Sequence, residues 1–526
     1  MKTFKINIKK LTLIAALLGV MLSMNISCVD DLKQEPITDV TGKSLYEDFS
    51  NYKGLLAKLY GALAVGGQQG SDGSGDVADI DGGFSSFSRL LFLMQEITTD
   101  EAVVAWEDAD LPDFHRLNWT AANRFNKAMY YRLYTEIAFC NEFIKNTTDE
   151  QLATNGITGT NAEQAKVMRA EARFLRAFAY YNLLDLYGNV TLITETTDTN
   201  VLPEQISRAE LFNYVESELL AIEPDLAAAR SNEYGRVDQA ADWTLLSRLY
   251  LNANVYTGTS RYSDVITYTE KVIAAGYSLK SDYSTLFLAD NNINNPEQIF
   301  QLTYDGQKTQ TYGGTTYLVS AAVGGKMVPT DFGITGGWGG LRVTPEFVDR
   351  FGASDKRGRF FTEGQTKDIA SVSTFANGYG FIKYKNITST GAAGSNTTFV
   401  DTDLPVFRLA DVYLMYAEAV LRGGGGSIST ALGYVNALRT RAGVSSIAQN
   451  TLTLDYILDE RSRELSWEMT RRSDLIRYGY FTSGSYLWAW KGGVINGQGV
   501  DSYRALFPIP ADELVVNSKL VQNPGY

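Results

Sequence analysis

The chain has 526 residues, of which 20% are charged and 12% aromatic, and its formal net charge is −13. This aromatic-rich composition excludes an intrinsically disordered chain. The acidic excess argues against a nucleic-acid partner, because phosphate backbones are bound by basic surfaces. His115 is the only histidine in the sequence. Metal sites built on histidine pairs are therefore excluded, as are Cys-His and Ser-His-Asp arrangements that do not use His115.

The N-terminus has the pattern of an export signal. Four lysines within the first ten residues precede an uncharged apolar run over 11–24. That run is shorter than the roughly 20 residues that a membrane-spanning helix needs. Ser27 then stands directly before Cys28, and a small residue before a cysteine is the pattern that a bacterial lipoprotein peptidase accepts. We predict a signal peptide over 1–27, a lipid-modified Cys28 and a polar tether over 28–40.

The alternative is an ordinary secretory signal in which Cys28 is incidental. The lipoprotein interpretation places several acyl chains on one residue, and these hold a protein to a membrane more firmly than a single chain does. Beyond the tether, the chain is long enough to bury a large core. We expect residues 41–526 to form a single domain.

Several segments of this domain have the apolar periodicity of helices. Ala170, Phe174, Phe178 and Tyr181 share one face by spacings of three and four residues, and Gly188 is placed to end that helix. Patterns of this kind predict helices, in chain order, over 41–64, 165–187, 238–252, 262–275, 409–421, 428–442 and 454–477.

Two segments lack helical periodicity. Residues 65–83 are rich in Gly, Ser and Asp and are predicted to form a long loop. From about 285 to 400, Gly, Thr, Asn and Tyr dominate, which predicts a loop-rich insertion carrying short strands. The paired helices around these segments indicate a mostly α fold, a helical-repeat scaffold similar to tetratricopeptide repeats, although no clean repeat of roughly 34 residues is visible.

Blocks of sequence along this scaffold resemble the SusD-type (SusD/RagB) outer-membrane glycan-binding lipoproteins. They follow one another in the family's order over essentially the whole mature chain. The blocks are Arg169-Ala-Glu-Ala-Arg-Phe-Leu-Arg-Ala-Phe-Ala-Tyr-Tyr, Asp185-Leu-Tyr-Gly, Gly235-Arg-Val-Asp, Arg408-Leu-Ala-Asp-Val-Tyr-Leu-Met-Tyr-Ala-Glu-Ala, Asp459-Glu-Arg-Ser-Arg-Glu-Leu, Phe507-Pro-Ile-Pro and Gln522-Asn-Pro-Gly-Tyr.

The likeness extends to the starch-binding founder of that family. Three further stretches carry it: Thr99-Asp-Glu with Ala105-Trp106, Tyr312-Gly-Gly-Thr-Thr-Tyr-Leu, and Tyr486-Leu-Trp-Ala-Trp-Lys-Gly-Gly. Proteins bind sugars by stacking aromatic rings on their C–H faces and by hydrogen-bonding the surrounding hydroxyls. The resemblance implies such a glycan site, whose five residues are Asp81, Arg89, Trp106, Tyr312 and Trp338. For each residue the alternative is a structural role, core packing for the rings and a solvated loop pair for Asp81 and Arg89.

The sequence departs from the founder at two positions of this site. A second tryptophan is replaced by Val104, and an asparagine by Ala109. One stacking surface and one hydrogen bond are therefore expected to be missing. These departures weaken the inference to starch more than the inference to a glycan.

A structural calcium ion is a further implication of the resemblance, and no other cofactor is expected. Calcium takes six to eight oxygen ligands. Two oxygen-rich loops would supply them, through Asn292 and Asn294 in one and Asp401 and Asp403 in the other. The alternative is that these residues form metal-free turns.

The function that the resemblance implies is non-catalytic capture of a glycan at the cell surface. The substrate would be starch or another α-glucan, with β-glucan or fructan as alternatives, and the captured ligand would pass to a TonB-dependent transporter barrel of the SusC type. The lipid anchor would hold the protein on the outer membrane, facing the exterior. Two rival classes are a glycoside hydrolase with paired carboxylates and a module that captures peptides.

Overall fold

The computed structural model describes residues 42–71, 73–198 and 200–526. The predicted signal peptide, Cys28 and the tether lie outside the described residues. The 18 α-helices within these ranges are, in chain order, α1 Gly42–Glu47, α2 Tyr52–Ala64, α3 Phe87–Phe92, α4 Pro112–Arg116, α5 Arg124–Asn146, α6 Asp149–Thr154, α7 Thr160–Leu186, α8 Arg208–Ile222, α9 Gln239–Leu251, α10 Ala253–Thr257, α11 Tyr262–Ala274, α12 Gly314–Ala322, α13 Pro345–Val348, α14 Leu409–Leu421, α15 Ile428–Arg441, α16 Leu454–Leu465, α17 Arg471–Arg477 and α18 Ala511–Val516.

Strand structure is sparse and consists of short antiparallel pairs. In the described residues, β1 pairs with β5, β2 with β3, β4 with β8 and β6 with β7. The strands are β1 Val103–Val104, β2 Val190–Thr191, β3 Gln205–Ile206, β4 Gln298–Leu302, β5 Leu341–Arg342, β6 Phe360–Phe361, β7 Gly380–Phe381 and β8 Leu404–Arg408.

Local sequence signals explain where the scaffold helices begin and end. The Ser207 side chain caps α8 by accepting from Glu210 N, and the Glu210 carboxylate in turn accepts from Ser207 N, which forms a capping box. Asp238 caps α9 through the backbone N–H groups of Ala240 and Ala241. After α7, Gly188 takes a positive φ of 75°, as the sequence predicts.

The helices pack in succession, as expected for a helical-repeat scaffold. Helix α5 lies against α7, and α7 against α8; α9 lies against α11, α11 against α14, and α14 against α15. Their buried faces contribute to a hydrophobic core that extends along the chain from Tyr46 to Leu520. The predicted mostly α, TPR-like class with short strands is confirmed. Within the described ranges, no helix has the length and apolarity required to span a bilayer.

The loop-rich insertion differs from its prediction because it contains the nine-residue helix α12 and the short helix α13. Every residue of α12 is buried. A helix that is covered on all sides needs no polar face, so its sequence lacks the amphipathic stripe that marks a surface helix. The pattern analysis therefore did not find it.

The single helix predicted over 454–477 is interrupted in the structure. Helix α16 ends at Leu465 and α17 begins at Arg471. Between them, Trp467 and Met469 both take a φ of 61°. The Trp467 side chain is fully buried and packs edge-on against Phe92 and Phe381. The contacts of Trp467 with Phe92 and Phe381 direct the chain inward at this point. They are long-range contacts, which local periodicity does not encode.

Buried ion pairs join the insertion to the helical scaffold. Glu464 of α16 is fully buried and accepts hydrogen bonds from Arg357 of the insertion at 3.1 Å and from Arg408 of β8 at 2.6 Å, with Arg441 of α15 as a third partner. Removing one member of such a cluster leaves an uncompensated buried charge, which costs several kcal/mol. The cluster therefore fixes the position of the insertion on the scaffold.

Other ion pairs of this kind make stability depend on acid pH. Burial disfavours the charged form of Glu418, but the nearby charges of Arg477 and Arg422 outweigh it and lower the pKa to about 2. The unfolded chain binds a proton on this side chain near pH 4. The stability that Glu418 contributes is thus present above pH 4 and is lost as the pH falls toward 2.

We predict that Glu418→Gln weakens the protein at pH 7 and flattens its acid dependence, by about 2 kcal/mol between pH 7 and pH 3. Urea unfolding at pH 7 and pH 3, followed by circular dichroism, measures both effects. Glu363→Gln, at the exposed pair with Lys326, is the matched control and should behave as wild type. Equal pH dependence in Glu418→Gln and wild type would contradict the prediction.

Candidate functional site

A short strand pair brings two of the predicted aromatic residues together. In the β1–β5 pair, Val104 lies opposite Leu341, and Ala105 N donates to Gly340 O at 2.9 Å. Trp106 and Trp338 therefore emerge at the same end of the pair. The indole N–H of Trp106 donates to Trp338 O at 3.2 Å, and the two ring centroids are 6.3 Å apart.

Tyr312 extends this pair into a row of three rings. Its ring centroid lies 6.1 Å from that of Trp338. The Trp106, Trp338 and Tyr312 side chains are all half-buried, so each is held by the protein and still exposes part of its ring. We call these three residues the aromatic arc.

Glycines allow the Trp338 loop to fit against its neighbours. Trp338 N donates to Ser320 O at 2.7 Å, which fixes the loop to α12. A Cβ on Gly340 would lie 2.5 Å from two ring atoms of Trp106, so this position has no room for a side chain. By contrast, a Cβ on Gly336 would meet nothing within 4 Å. The loop therefore needs its glycine at 340 for contact with Trp106.

Arg89 lies behind the arc and is only 6% exposed. Its guanidinium carbon is 4.0 Å from the ring centroid of Phe84, 4.6 Å from that of Tyr317 and 5.7 Å from that of Trp106. Its Nη1 donates to Gly83 O at 3.0 Å and to Tyr312 O at 3.3 Å, whereas its buried Nε has no hydrogen-bond partner.

Burial lowers the pKa of Arg89 to about 10, against the opposing influence of Tyr317, Asp108 and Asp81. Arg89 is therefore still a cation at neutral pH. A cation enclosed by aromatic faces is stabilised by their negative quadrupoles, and Arg89 contacts two members of the arc, through Tyr312 O and the Trp106 ring.

Asp81 is exposed and shapes the loop beside Tyr312. Its Oδ1 accepts from Gly83 N at 2.8 Å, and the same Gly83 supplies the carbonyl that Arg89 binds. A Cβ on Gly83 would lie 3.0 Å from Tyr312 Cβ. The structure thus brings all five predicted glycan-site residues into one neighbourhood.

The two departures from the founder have different surroundings. Val104 is 2% exposed within β1, so its side chain belongs to the core and leaves no open gap beside Trp106. Ala109 is exposed. A tryptophan in place of Val104 would overpack the core where its side chain now lies, and overpacking typically costs about 1–3 kcal/mol.

Sequence reasoning missed the groups that support the arc. Phe399 packs against Tyr312, with ring centroids 5.2 Å apart, and Tyr317 packs against Trp106 at 6.1 Å. Tyr317 stands in the stretch that resembles the founder, and its place five residues after Tyr312 was an available signal. Phe399 comes from the far end of the insertion, and no local pattern links it to Tyr312.

The structure places the four predicted calcium ligands in separate environments. Asp403 is buried and accepts from Tyr304 N at 2.8 Å and from the Tyr234 hydroxyl. Asp401 instead accepts from Gly306 N at 2.7 Å and from Ser395.

The Asn292 and Asn294 side chains are exposed. The residue of that loop that contacts Asp403 is Asn291, which donates to Asp403 O and accepts from Asp403 N. In the part of the chain that the structure describes, no three His, Cys, Asp or Glu side chains are grouped to hold a metal ion. Calcium binding stays a prediction.

A calcium ion that binds only the folded state would raise its stability. If the two loops hold one, a chelator should lower the melting temperature and added calcium should restore it, whereas added magnesium should not. Differential scanning calorimetry measures this, with elemental analysis of the purified protein as the control. An unchanged melting temperature and no bound metal would remove the site.

A helical scaffold that presents half-exposed aromatic rings from its loops is suited to binding a ligand by ring stacking. Comparison with known proteins identifies the class. Residues 88–251 match the family model described as starch-binding associating with outer membrane, and residues 358–526 match the model of the SusD family. The chain is 37% identical to the starch-binding protein SusD of Bacteroides thetaiotaomicron, over 97% of this chain and 98% of that protein. It belongs to the SusD family.

Other relatives and solved structures agree with this assignment. A SusD-like protein of Formosa agariphila is 24% identical over 73% of this chain and 79% of its own length. A SusD superfamily protein from Parabacteroides distasonis matches with a TM-score of 0.70, 24% identity and coverage of 93% and 100%. The surface glycan-binding protein A of B. thetaiotaomicron, solved in complex with laminarihexaose, matches with a TM-score of 0.71, 22% identity and coverage of 90% and 99%. These structures share the fold.

Proposed function

We propose that this protein captures starch or another α-glucan at the outer surface of the outer membrane, without cleaving it. The observation that carries the proposal is the aromatic arc of Trp106, Trp338 and Tyr312, whose rings are adjacent, half-exposed and fixed by the backbone. Its sequence relation to a starch-binding protein supports α-glucan as the ligand.

The arc has the properties that sugar binding requires. Adjacent centroids are 6.1 Å and 6.3 Å apart, so one ligand can touch all three rings. Each ring offers an apolar face for the C–H groups of a sugar. The exposed carboxylate of Asp81 can accept hydrogen bonds from sugar hydroxyls. Because hydrogen bonds and packing already fix the rings, little conformational entropy is lost when the ligand binds.

Binding without catalysis is supported by the surroundings of two glutamates that stand one helical turn apart on α16. Glu460 and Glu464 are fully buried. Their oxygens accept hydrogen bonds from arginines, among them Arg357, which contacts both at 2.8 Å and 3.1 Å. A glycosidase needs one carboxyl group that protonates the leaving oxygen and a second that faces the sugar. Neither glutamate can reach a sugar.

We extend the proposal to the partner and the membrane. The captured glycan passes to a TonB-dependent transporter of the SusC type, and a lipid on Cys28 anchors the protein beside it. The anchor predicts that Cys28→Ala moves the protein from washed outer membranes into the soluble fraction, because an unacylated chain has nothing to hold it there. Cell fractionation measures this, and Cys28→Ala protein that stays in the outer membrane would contradict it.

The strongest prediction concerns Trp338. Loss of a stacking ring that acts as a buried anchor costs on the order of 1–3 kcal/mol, so Trp338→Ala should weaken maltohexaose binding about tenfold or more. Isothermal titration calorimetry measures the affinity. Trp243→Ala is the matched control, since Trp243 is also half-buried but donates its indole N–H to Glu223, away from the arc.

This titration, a parallel titration with a laminarin oligosaccharide and a reducing-end assay together decide the proposal. Full affinity in a folded Trp338→Ala protein, or no maltohexaose binding by wild type, would refute α-glucan binding at the arc. Preference for a laminarin oligosaccharide over maltohexaose would keep glycan capture and change the substrate to a β-glucan. New reducing ends after incubation with glucan would show catalysis and refute the non-catalytic role.

A further inference from the structure

Two neighbouring cavities lie on the two sides of residues 233–236, which cross the surface between α2 and β4. We call the two cavities together the strap groove and residues 233–236 the strap. On the side of α2 it has a volume of about 320 Å³, and on the side of Tyr277 about 210 Å³. Its total size lies in the range of small-molecule binding sites. Gly235 allows the strap to pass close to Thr303, because a Cβ there would lie 2.8 Å from Thr303 Cγ2.

Two buried glutamines of β4 line this groove, and one of them, Gln301, presents an unpartnered amide to it. Gln301 is 5% exposed, lines both sides of the groove, and its side chain makes no hydrogen bond to the described residues. Gln298 is 8% exposed, and its Nε2 has no hydrogen-bond partner. A buried polar group without a partner costs about 1–3 kcal/mol. The Gln298 Nε2 atom is closed off from the groove, so the Gln301 amide is the group that a ligand in the groove would satisfy.

The irregular pairing of β4 explains why both glutamines line the same cavity. Residues three apart on a regular strand point to opposite faces. The β4–β8 register shifts between Gln298 and Phe300 and again between Phe300 and Gln301. Bulges of this kind re-aim side chains next to binding sites.

The charged residues on the α2 side of the groove are already paired within the protein. Arg236 pairs with Glu171 and Glu233, and Glu233 also pairs with Lys53 at 2.7 Å. On the Tyr277 side, by contrast, Arg230 donates to Gly276 O and lies over the Tyr277 ring, without a carboxylate partner in the part of the chain that the structure describes. On the α2 side an ionic ligand would therefore find no free counter-charge among the described residues, and the groups left there for recognition are uncharged.

Those uncharged groups are the Gln301 amide and the Tyr234 ring. An amide both donates and accepts, as a hydroxyl does. Tyr234 is 51% exposed at the rim, and its hydroxyl is held by Asp403 and Gln298. An amide for hydroxyls and a ring for C–H faces are the complement of a sugar.

We propose that the strap groove is a second binding site, which takes a short neutral saccharide of one or two sugar units. Its recognition groups are the Gln301 amide and the exposed Tyr234 ring on the α2 side, and it is independent of the aromatic arc. The loop from Thr303 to Tyr312 connects the two, since Thr309 lines the groove and Tyr312 belongs to the arc.

The test removes the arc and probes the groove alone. The variant Trp106→Ala/Trp338→Ala is mixed with maltotriose, and saturation-transfer difference NMR detects weak contact. We expect the maltotriose signal to persist in this variant and to fall at least fivefold when Gln301→Leu is added. Gln449→Leu, at an exposed glutamine, is the control and should leave the signal unchanged.

A second blocking variant protects the test against misfolding. Ala57 is exposed on α2 and lines the groove, so Ala57→Trp should fill the cavity from its rim and abolish the signal without entering the core. The proposal would be overturned if the arc-deficient protein gave no maltotriose signal. It would also be overturned if adding Gln301→Leu or Ala57→Trp left that signal unchanged. If the groove gives a maltotriose signal but wild-type affinity does not fall when the arc is removed, the groove proposal is supported and the arc proposal is refuted. The two proposals therefore fail separately.

Discussion

The enclosure of the Arg89 guanidinium is the interaction on which the candidate glycan site depends. Arg89 is contributed by α3 and donates to carbonyls of two different loops, at Gly83 and Tyr312. It also lies between the rings of Phe84 and Tyr317 and close to Trp106. One buried cation thereby joins three segments that are distant in sequence. Burial alone would destabilise it, and the aromatic faces and carbonyl oxygens offset that cost.

The scaffold makes this arrangement rigid. The β1–β5 pair fixes Trp106 beside Trp338, and α12 holds the Trp338 loop through Ser320 O. Helix α12 is itself enclosed by the core. Further away, the pairs of Glu464 with Arg357 and Arg408 hold the insertion against α16 and β8. The consequence for function is preorganisation, since rings fixed in advance lose little entropy when a glycan binds.

The sequence predicted several helices from local pattern, although the amphipathic helix α5 and the capped helix α8 were not among them. Amphipathic helices such as α7 and α14 were found because their apolar stripes face one core. Helix α12 was not found because it is buried on every side, and the break at Trp467 was not found because its cause is contact with Phe92 and Phe381. These features are set by tertiary packing, which a single sequence does not display.

The candidate site likewise has residues that the sequence predicted and contacts that only the structure reveals. Trp106, Tyr312 and Trp338 were identified through resemblance to a known family, and the structure brings them together. The role of Arg89 behind the rings and the contact of Phe399 with Tyr312 follow only from three-dimensional geometry. The strap groove had no sequence signal, since Gln298 and Gln301 line one cavity only because the β4–β8 register is irregular.

The central claim is that the buried Arg89 guanidinium positions the arc for glycan binding. Arg89→Lys tests it most directly, because lysine keeps the charge and loses the planar group that stacks on rings and bridges two carbonyls. Calorimetric titration of Arg89→Lys with maltohexaose, on protein whose helical circular dichroism matches wild type, is the measurement. The account predicts an affinity reduced about tenfold or more. Wild-type affinity in the folded Arg89→Lys protein would contradict it.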